Sequence, residues 1–253
     1  MKSKYNINWL LEKYESGENL KFIYFWGNTK KSGEIDKSCF SQWYESSFEL
    51  ENVNYKTAEH WMMAQKAHLF NDIKAFDKII NCKKPGEAKE IGRNVLNYNE
   101  GIWNETKFEI VKTGNIHKFN QNSELAEYLL KTADRILVEA SPVDTVWGIG
   151  LSQDNPDINN IYVWRGENLL GFVLMEVRDF ITKFGFFEPI KNTFLPPWLK
   201  FPNIYPEDLF WRMGKGEDYI FSFSKFYLAL NEKEKIIYKL TFPQPFIWKE
   251  FYD

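Results

Sequence analysis

The stretch TAEHWMMAQKAHLF (Thr57–Phe70) decides the fold class. A threonine ahead of a run of good helix formers reads as an N-cap, so a helix starts at Ala58. On a wheel of 3.6 residues per turn, Glu59 and Lys66 lie seven apart and nearly eclipse one another. Met62, Met63 and Phe70 fall within about 60° of the same line. An ordinary amphipathic helix sets its charges opposite its apolar stripe. Here a carboxylate and an amine stand in the middle of it. Such groups either snorkel at the helix edge, with the methionines filling the core, or face a cavity between this helix and its neighbours.

Outward from this helix the chain alternates short strand-like and longer helix-like segments. KFIYFW (Lys21–Trp26) and FELENVNY (Phe48–Tyr55) read as strands. Asp72 caps a second helix, DIKAFDKIINC, and Pro85 sits in the first turn of a third, EAKEIGRNVL. A fourth begins at Asn104 and runs to Phe119, with Gly114 and Asn115 as candidate breaks. Ser123 precedes a fifth, ELAEYLLKTADR, which leads into an apolar strand, ILVEA. A loop rich in Gly, Pro, Asp and Asn follows (SPVDTVWGIGLSQDNPDINN). After a short strand, IYVW, comes the last long helix, NLLGFVLMEVRDFITKF. The expectation is an α+β fold, predominantly helical with small β elements. Neither a P-loop, nor a strand–Gly-rich turn–helix unit, nor an internal repeat is present.

The 253 residues are 44% hydrophobic, 18% aromatic and 26% charged, which excludes a disordered chain. A formal net charge of −3 argues against a DNA-coating protein, which needs a basic field. Binding of one nucleotide in a local pocket stays open. Cys39 and Cys82 are too few for a disulfide framework, and His60, His68 and His117 show no zinc spacing. The first residues lack an apolar leader core, and LLGFVLMEV is too short to span a bilayer. A cytoplasmic protein without membrane contact is expected. After about residue 185 the composition turns to prolines and aromatics, with two amphipathic helices flanking Asn231. Such a segment is too apolar for a linker, so residues 181–253 are expected to be an ordered extension packed on the domain formed by residues 1–180.

Chemistry gives the odd pair a use. Glu59 falls in the first helical turn, where the macrodipole favours the carboxylate, while burial favours the acid. Lys66 projects toward the helix N-terminus, about 10 Å along the axis from Glu59. A partly desolvated lysine is an amine nucleophile and a nearby carboxylate a proton shuttle. A second constellation is ILVEASPVDTVWGIGL, with Glu139 ending a strand, Asp144 after a turn, and Trp147 followed by Gly148. Its plainer reading is a turn in which Asp144 caps its own backbone and Trp147 plugs the core. The functional one has Trp147 stacking on a planar base that the glycines let approach. Arg93 and Arg178 suit a phosphate, or merely pair with acids.

Several spaced motifs together resemble the NADAR family (NAD- and ADP-ribose-associated), whose small bacterial members are called YbiA-like. They are Phe25-Trp26, Phe40-Ser41, Thr57-x-Glu59-His60-x-x-x-Ala64-Gln65-Lys66, Ala88-x-x-x-Gly92-Arg93, Trp103 and Lys118-Phe119. Leu137-Val138-Glu139, Asp144-x-x-Trp147-Gly148, Gly166-x-Asn168-x-Leu170-Gly171 and Leu174-Met175-Glu176-Val177-Arg178 complete the set. The match runs in order from about residue 22 to 180.

The resemblance implies a YbiA-like fold and hydrolysis of an N-glycosidic bond. Two activities are associated with the family: cleavage of phosphoribosylamino-pyrimidine intermediates of riboflavin synthesis, and removal of ADP-ribose from guanine in nucleic acid, in some cases as an antitoxin. Both substrates join ribose C1 to an exocyclic amine, which permits ring opening to an imine that a lysine can intercept. Carried onto this sequence, Glu59 is the proton shuttle, Lys66 the amine nucleophile or electrostatic stabiliser, and Asp144 a second acid/base or ribose-holding group. Phe40, Trp103 and Trp147 are candidates to stack on base or ribose. Arg93 and Asn168 are candidates to hold phosphate or ribose hydroxyls, with Ser41, Glu139 and Gly148 also lining the substrate site. No metal or cofactor is implied. The expected partner is an ADP-ribosylated nucleic acid or ribosylated nucleotide, with an ADP-ribosyltransferase toxin as a further associate. The chain departs from short members in Ile149-Gly150-Leu151, in a longer Asn/Asp loop, and in its extension. An added wall suits a larger substrate, and the extension suits a partner-binding or stabilising element equally well; the reading leans toward ADP-ribosyl-guanine. A non-catalytic module that binds ADP-ribose or NAD is the alternative from another functional class.

Overall fold

The computed structural model describes residues 3–29, 33–188, 190 and 193–252, which form two compact units, residues 1–185 and 186–253. Pro189, Lys191 and Asn192 of the proline- and aromatic-rich stretch lie outside the described residues.

The first unit is built mostly from helices: α1 (Ile7–Glu15), α2 (Ala58–Leu69), α3 (Ile73–Asn81), α4 (Pro85–Arg93), α5 (Glu100–Gln121), α6 (Ser123–Leu130) and α7 (Leu169–Phe184). Among the described residues four short strands accompany them: β1 (Phe22–Phe25), β2 (Phe48–Leu50), β3 (Val53–Tyr55) and β4 (Ile136–Glu139). Helix α2 packs on α3, α4 and α5, while α7 packs on α5, α6 and β4. β1 and β4 pair in parallel, and the register sets Phe25 against Glu139 at their carboxyl ends.

Local hydrogen bonding explains where the elements begin. Thr57 is extended and its Oγ1 accepts the His60 N–H, capping α2. Asp72 caps α3 through Ala75 and also accepts the Leu96 N–H at 2.9 Å, which ties the α4–α5 connection to α3. Pro85 occupies the first turn of α4, where a missing N–H costs nothing.

Among the differences from the expectation, three have a local cause. Phe48–Tyr55 is a hairpin rather than one strand: Glu51 and Asn52 both have positive φ, 53° and 61°, and turn β2 back onto β3. Helix α5 begins at Glu100, ahead of the Asn104 start that the sequence suggests, because Asn99 Oδ1 accepts the Ile102 N–H at 3.0 Å and caps it there. The helix then runs unbroken through Gly114 and Asn115. Gly114 serves packing: a Cβ there would overlap the Trp61 indole, whose Nε1 donates to the Ile110 carbonyl at 2.7 Å. The third difference is Ile161–Val163, a 3-10 turn capped by Asn160 instead of a strand.

The second unit contains α8 (Pro197–Lys200), α9 (Lys215–Ala229) and α10 (Glu232–Thr241). Asn231 separates α9 from α10 and caps α10 through a reciprocal pair of bonds with Glu234 (2.8 and 3.0 Å). The aromatics build a core of the unit's own around fully buried Tyr238, with Trp198, Phe223, Tyr227, Phe242, Trp248 and Tyr252. Among the described residues no helix is long and apolar enough to cross a membrane.

Candidate active site

Glu59 is the second residue of α2 and is 2% exposed. Its N–H donates to the Gln42 carbonyl at 2.9 Å, and the Trp43 side chain stands beside its carboxyl, where it favours the charged form. Oε1 is buried with no hydrogen-bond partner. Burial pushes its pKa up to about 7; Asp144 adds to the rise, while Lys89, Trp43 and Arg93 oppose it.

Glu139 approaches from the end of β4. Its Oε2 is likewise buried without a partner. Burial, then the charges of Asp144 and Glu59, push its pKa up to about 8, against Lys89. The end of β4 is braced by Asn168, whose Oδ1 accepts the Glu139 N–H and whose Nδ2 donates to the Leu137 carbonyl. Asp144 lies in the turn that follows. Its Oδ1 accepts the Val146 and Trp147 N–H groups at 2.9 and 2.8 Å, so the side chain caps its own turn while its charge acts on both glutamates. Gly148 closes this turn onto the strand, since a Cβ would sit 2.8 Å from the Glu139 carbonyl oxygen.

The structure therefore brings Glu59, Glu139 and Asp144 together, with Lys89 and Arg93 of α4 as the nearby cations. The Arg93 guanidinium is largely exposed and pairs loosely with Glu90 at 3.5 Å. Trp147 is half-buried in the turn that Asp144 caps. Lys66 has other surroundings: its Nζ stands 4.3 Å from the Tyr98 ring centroid and 5.6 Å from that of Trp103. Burial lowers its pKa.

Several expected ligand contacts are occupied by the protein itself. Phe40 is fully buried against Phe25 and Tyr128, with ring centroids 5.4 and 5.5 Å away, so it packs the core. Asn168 is fully buried and its amide is engaged by backbone, so it braces β4. Arg178 is buried and donates to Thr132 Oγ1 and the Arg135 carbonyl, both at 2.8 Å. Ser41 is half-buried; its Oγ accepts the Trp43 N–H at 3.1 Å. Sequence reasoning singles out neither Trp43 nor Lys89. The i, i+4 spacing of Lys89 and Arg93 on α4 is the available signal for the second. Among the described residues no group of three or more His, Cys, Asp or Glu side chains is placed to hold a metal ion.

The chain has known relatives. The chain is 42% identical over 167 residues to N-glycosidase R617 of Acanthamoeba polyphaga mimivirus, covering 64% of this chain and 97% of that protein. It is 32% identical over 141 residues to N-glycosidase Npun_R5314 of Nostoc punctiforme, covering 56% and 83%. The NMR structure of E. coli YbiA superposes with a TM-score of 0.53 at 27% identity, covering 64% of this chain and 86% of that one. The NADAR domain model matches residues 24–182, and the chain belongs to the NADAR domain family.

Proposed function

We infer that this chain is an N-glycosidase, and we propose that it removes ADP-ribose from guanine by cleaving the bond between ribose C1 and the exocyclic amine. The observation that carries the reading is the buried carboxyl group set, Glu59 and Glu139 beside Asp144, with two acids that titrate near neutrality. Such acids can hold a proton at pH 7 and still give it up.

In the proposed reaction a carboxyl protonates the ribose ring oxygen, and the sugar opens to an iminium between C1 and the exocyclic nitrogen. The free amine of Lys66 adds to C1. A proton moves to the exocyclic nitrogen, the heterocycle leaves as its amine, and a lysine iminium remains. Water adds to that carbon as a carboxylate takes its proton, and collapse returns the lysine amine and a ribose that recloses. The lowered pKa of Lys66 supports the nucleophilic role because it raises the share of free amine. Incubating the protein with an oligonucleotide ADP-ribosylated on guanine tests the proposal. Release of ADP-ribose with recovery of the unmodified oligonucleotide is expected; binding without release would leave only a recognition module.

A further inference from the structure

Lys118 of α5 is fully buried, and its amine is committed to backbone rather than to a carboxylate. Nζ donates to the Cys39 carbonyl at 2.7 Å and to the Ser41 carbonyl at 2.9 Å. A buried charge is costly, and two convergent carbonyls recover only part of that cost. What the interaction achieves is local: it fixes the chain where the 3-10 turn Lys37–Phe40 passes into extended backbone at Ser41. One turn earlier on α5, Asn115 grips the next residue, exchanging amide hydrogen bonds with Gln42 at 3.1 and 3.3 Å. The segment held this way is the one that meets Glu59. The Gln42 carbonyl accepts the Glu59 N–H at 2.9 Å, and the Trp43 side chain stands beside the Glu59 carboxyl, where it favours the charged form.

We propose that Lys118 is a positioning residue for Glu59, acting through residues 39–43 to hold the Trp43 side chain on the Glu59 carboxylate. This rests on Glu59 being an acid of the proposed reaction. Groups that face Glu59 from other elements are Lys89 and Arg93 on α4, Asp144 in the loop after β4, and Glu139 at its end. Lys89 also lies over the Trp43 ring, its Nζ 5.8 Å from the centroid. A Trp43→Phe change keeps an aromatic ring beneath Lys89 and removes only the indole donor.

The test is a titration of Glu59 by carboxyl 13C NMR in glutamate-labelled protein, with Glu59→Gln assigning the resonance. Lys118→Met, Trp43→Phe and the double variant are compared with the parent. Loss of the indole that favours the charged form is expected to raise the Glu59 pKa by about one unit in each single variant. The double variant is expected to show no further rise, since both changes break the same link. Lys118→Arg, which retains donors, is expected to recover part of the shift. A Glu59 titration unchanged in Lys118→Met, or a rise additive with Trp43→Phe, would overturn the proposal. A merely structural lysine lowers the melting temperature and leaves this titration where it was. Because the titration needs no substrate, it is independent of whether ADP-ribosyl-guanine is hydrolysed.

Discussion

Asn168 holds Glu139 from behind: the Glu139 N–H donates to Asn168 Oδ1 at 3.0 Å, and Asn168 Nδ2 donates to the Leu137 carbonyl at 2.9 Å. One side-chain amide thus closes the backbone on both sides of Val138, just where the carboxyl leaves the sheet. Asn168 also has a φ of 55°, a conformation asparagine tolerates better than most residues. Asn168→Ala strands two buried backbone groups and adds strain, and is expected to destabilise by about 2–5 kcal/mol. Asn168→Gly removes the strain but not the loss of bonds, so it is expected to unfold at a temperature between those of Ala and the parent. Thermal or urea unfolding checks the order.

The same strand end sets the tolerance of nearby glycines. A Cβ at Gly171 would overlap the Leu137 carbonyl oxygen, a backbone atom that cannot swing aside. Gly171→Ala is expected to cost about 1–3 kcal/mol or more. A Cβ at Gly86, by contrast, would make ordinary contact with Trp43 at 3.6 Å. Gly86→Ala in α4 is expected to leave stability unchanged or raise it by up to about 1 kcal/mol. Urea midpoints of the two variants separate these outcomes.

Glu59 and Glu139 also give stability a pH dependence of definite sign. Both are raised from 4.5 in the fold, to about 7 and about 8. Between an unfolded value of 4.5 and those folded values, the folded chain binds more protons than the unfolded one. The contribution to stability is full below the unfolded value, is lost as pH rises through the folded ones, and levels off above them. The slope is at most about 1.4 kcal/mol per pH unit for each carboxyl. Glu59→Gln and Glu139→Gln are each expected to flatten the fall, measured as unfolding free energy against pH.

Lys66, flanked by Tyr98 and Trp103, is expected to be trapped by borohydride during turnover as a ribosyl adduct of that residue, read by peptide mass spectrometry. Lys66→Ala is expected to lose turnover by about a hundredfold or more. Lys66→Arg is expected to fare no better, because a guanidinium stays charged and does not attack C1. Full turnover by either variant rules the lysine out as nucleophile.

Local bonding is what the sequence makes legible. Thr57, Asp72, Pro85 and Asn231 begin helices because each acts on backbone within a few residues of itself. Glu51-Asn52 conceals the hairpin, since its turn lacks the glycine that usually signals one. Gly114 reads as a break because the indole it accommodates belongs to a different helix. In the site, Glu59 stands out as a charge on an apolar stripe, and the structure buries it. Its neighbours are less legible. Trp43 and Lys89 reach it only through tertiary packing, and Phe40 and Asn168 carry ligand-like chemistry in positions the core consumes. The head groups of Glu59 and Lys66 have different surroundings, carboxyls for one and aromatic rings for the other, which wheel geometry does not resolve.

The most direct measurement is kcat/KM on ADP-ribosyl-guanine oligonucleotide against pH, for the parent and for Glu59→Gln. The parent is expected to depend on an ionisation near pH 7, and Glu59→Gln to lose that ionisation together with about a hundredfold or more of the rate. A Glu59→Gln enzyme with the parent's rate and the parent's pH profile would contradict the account.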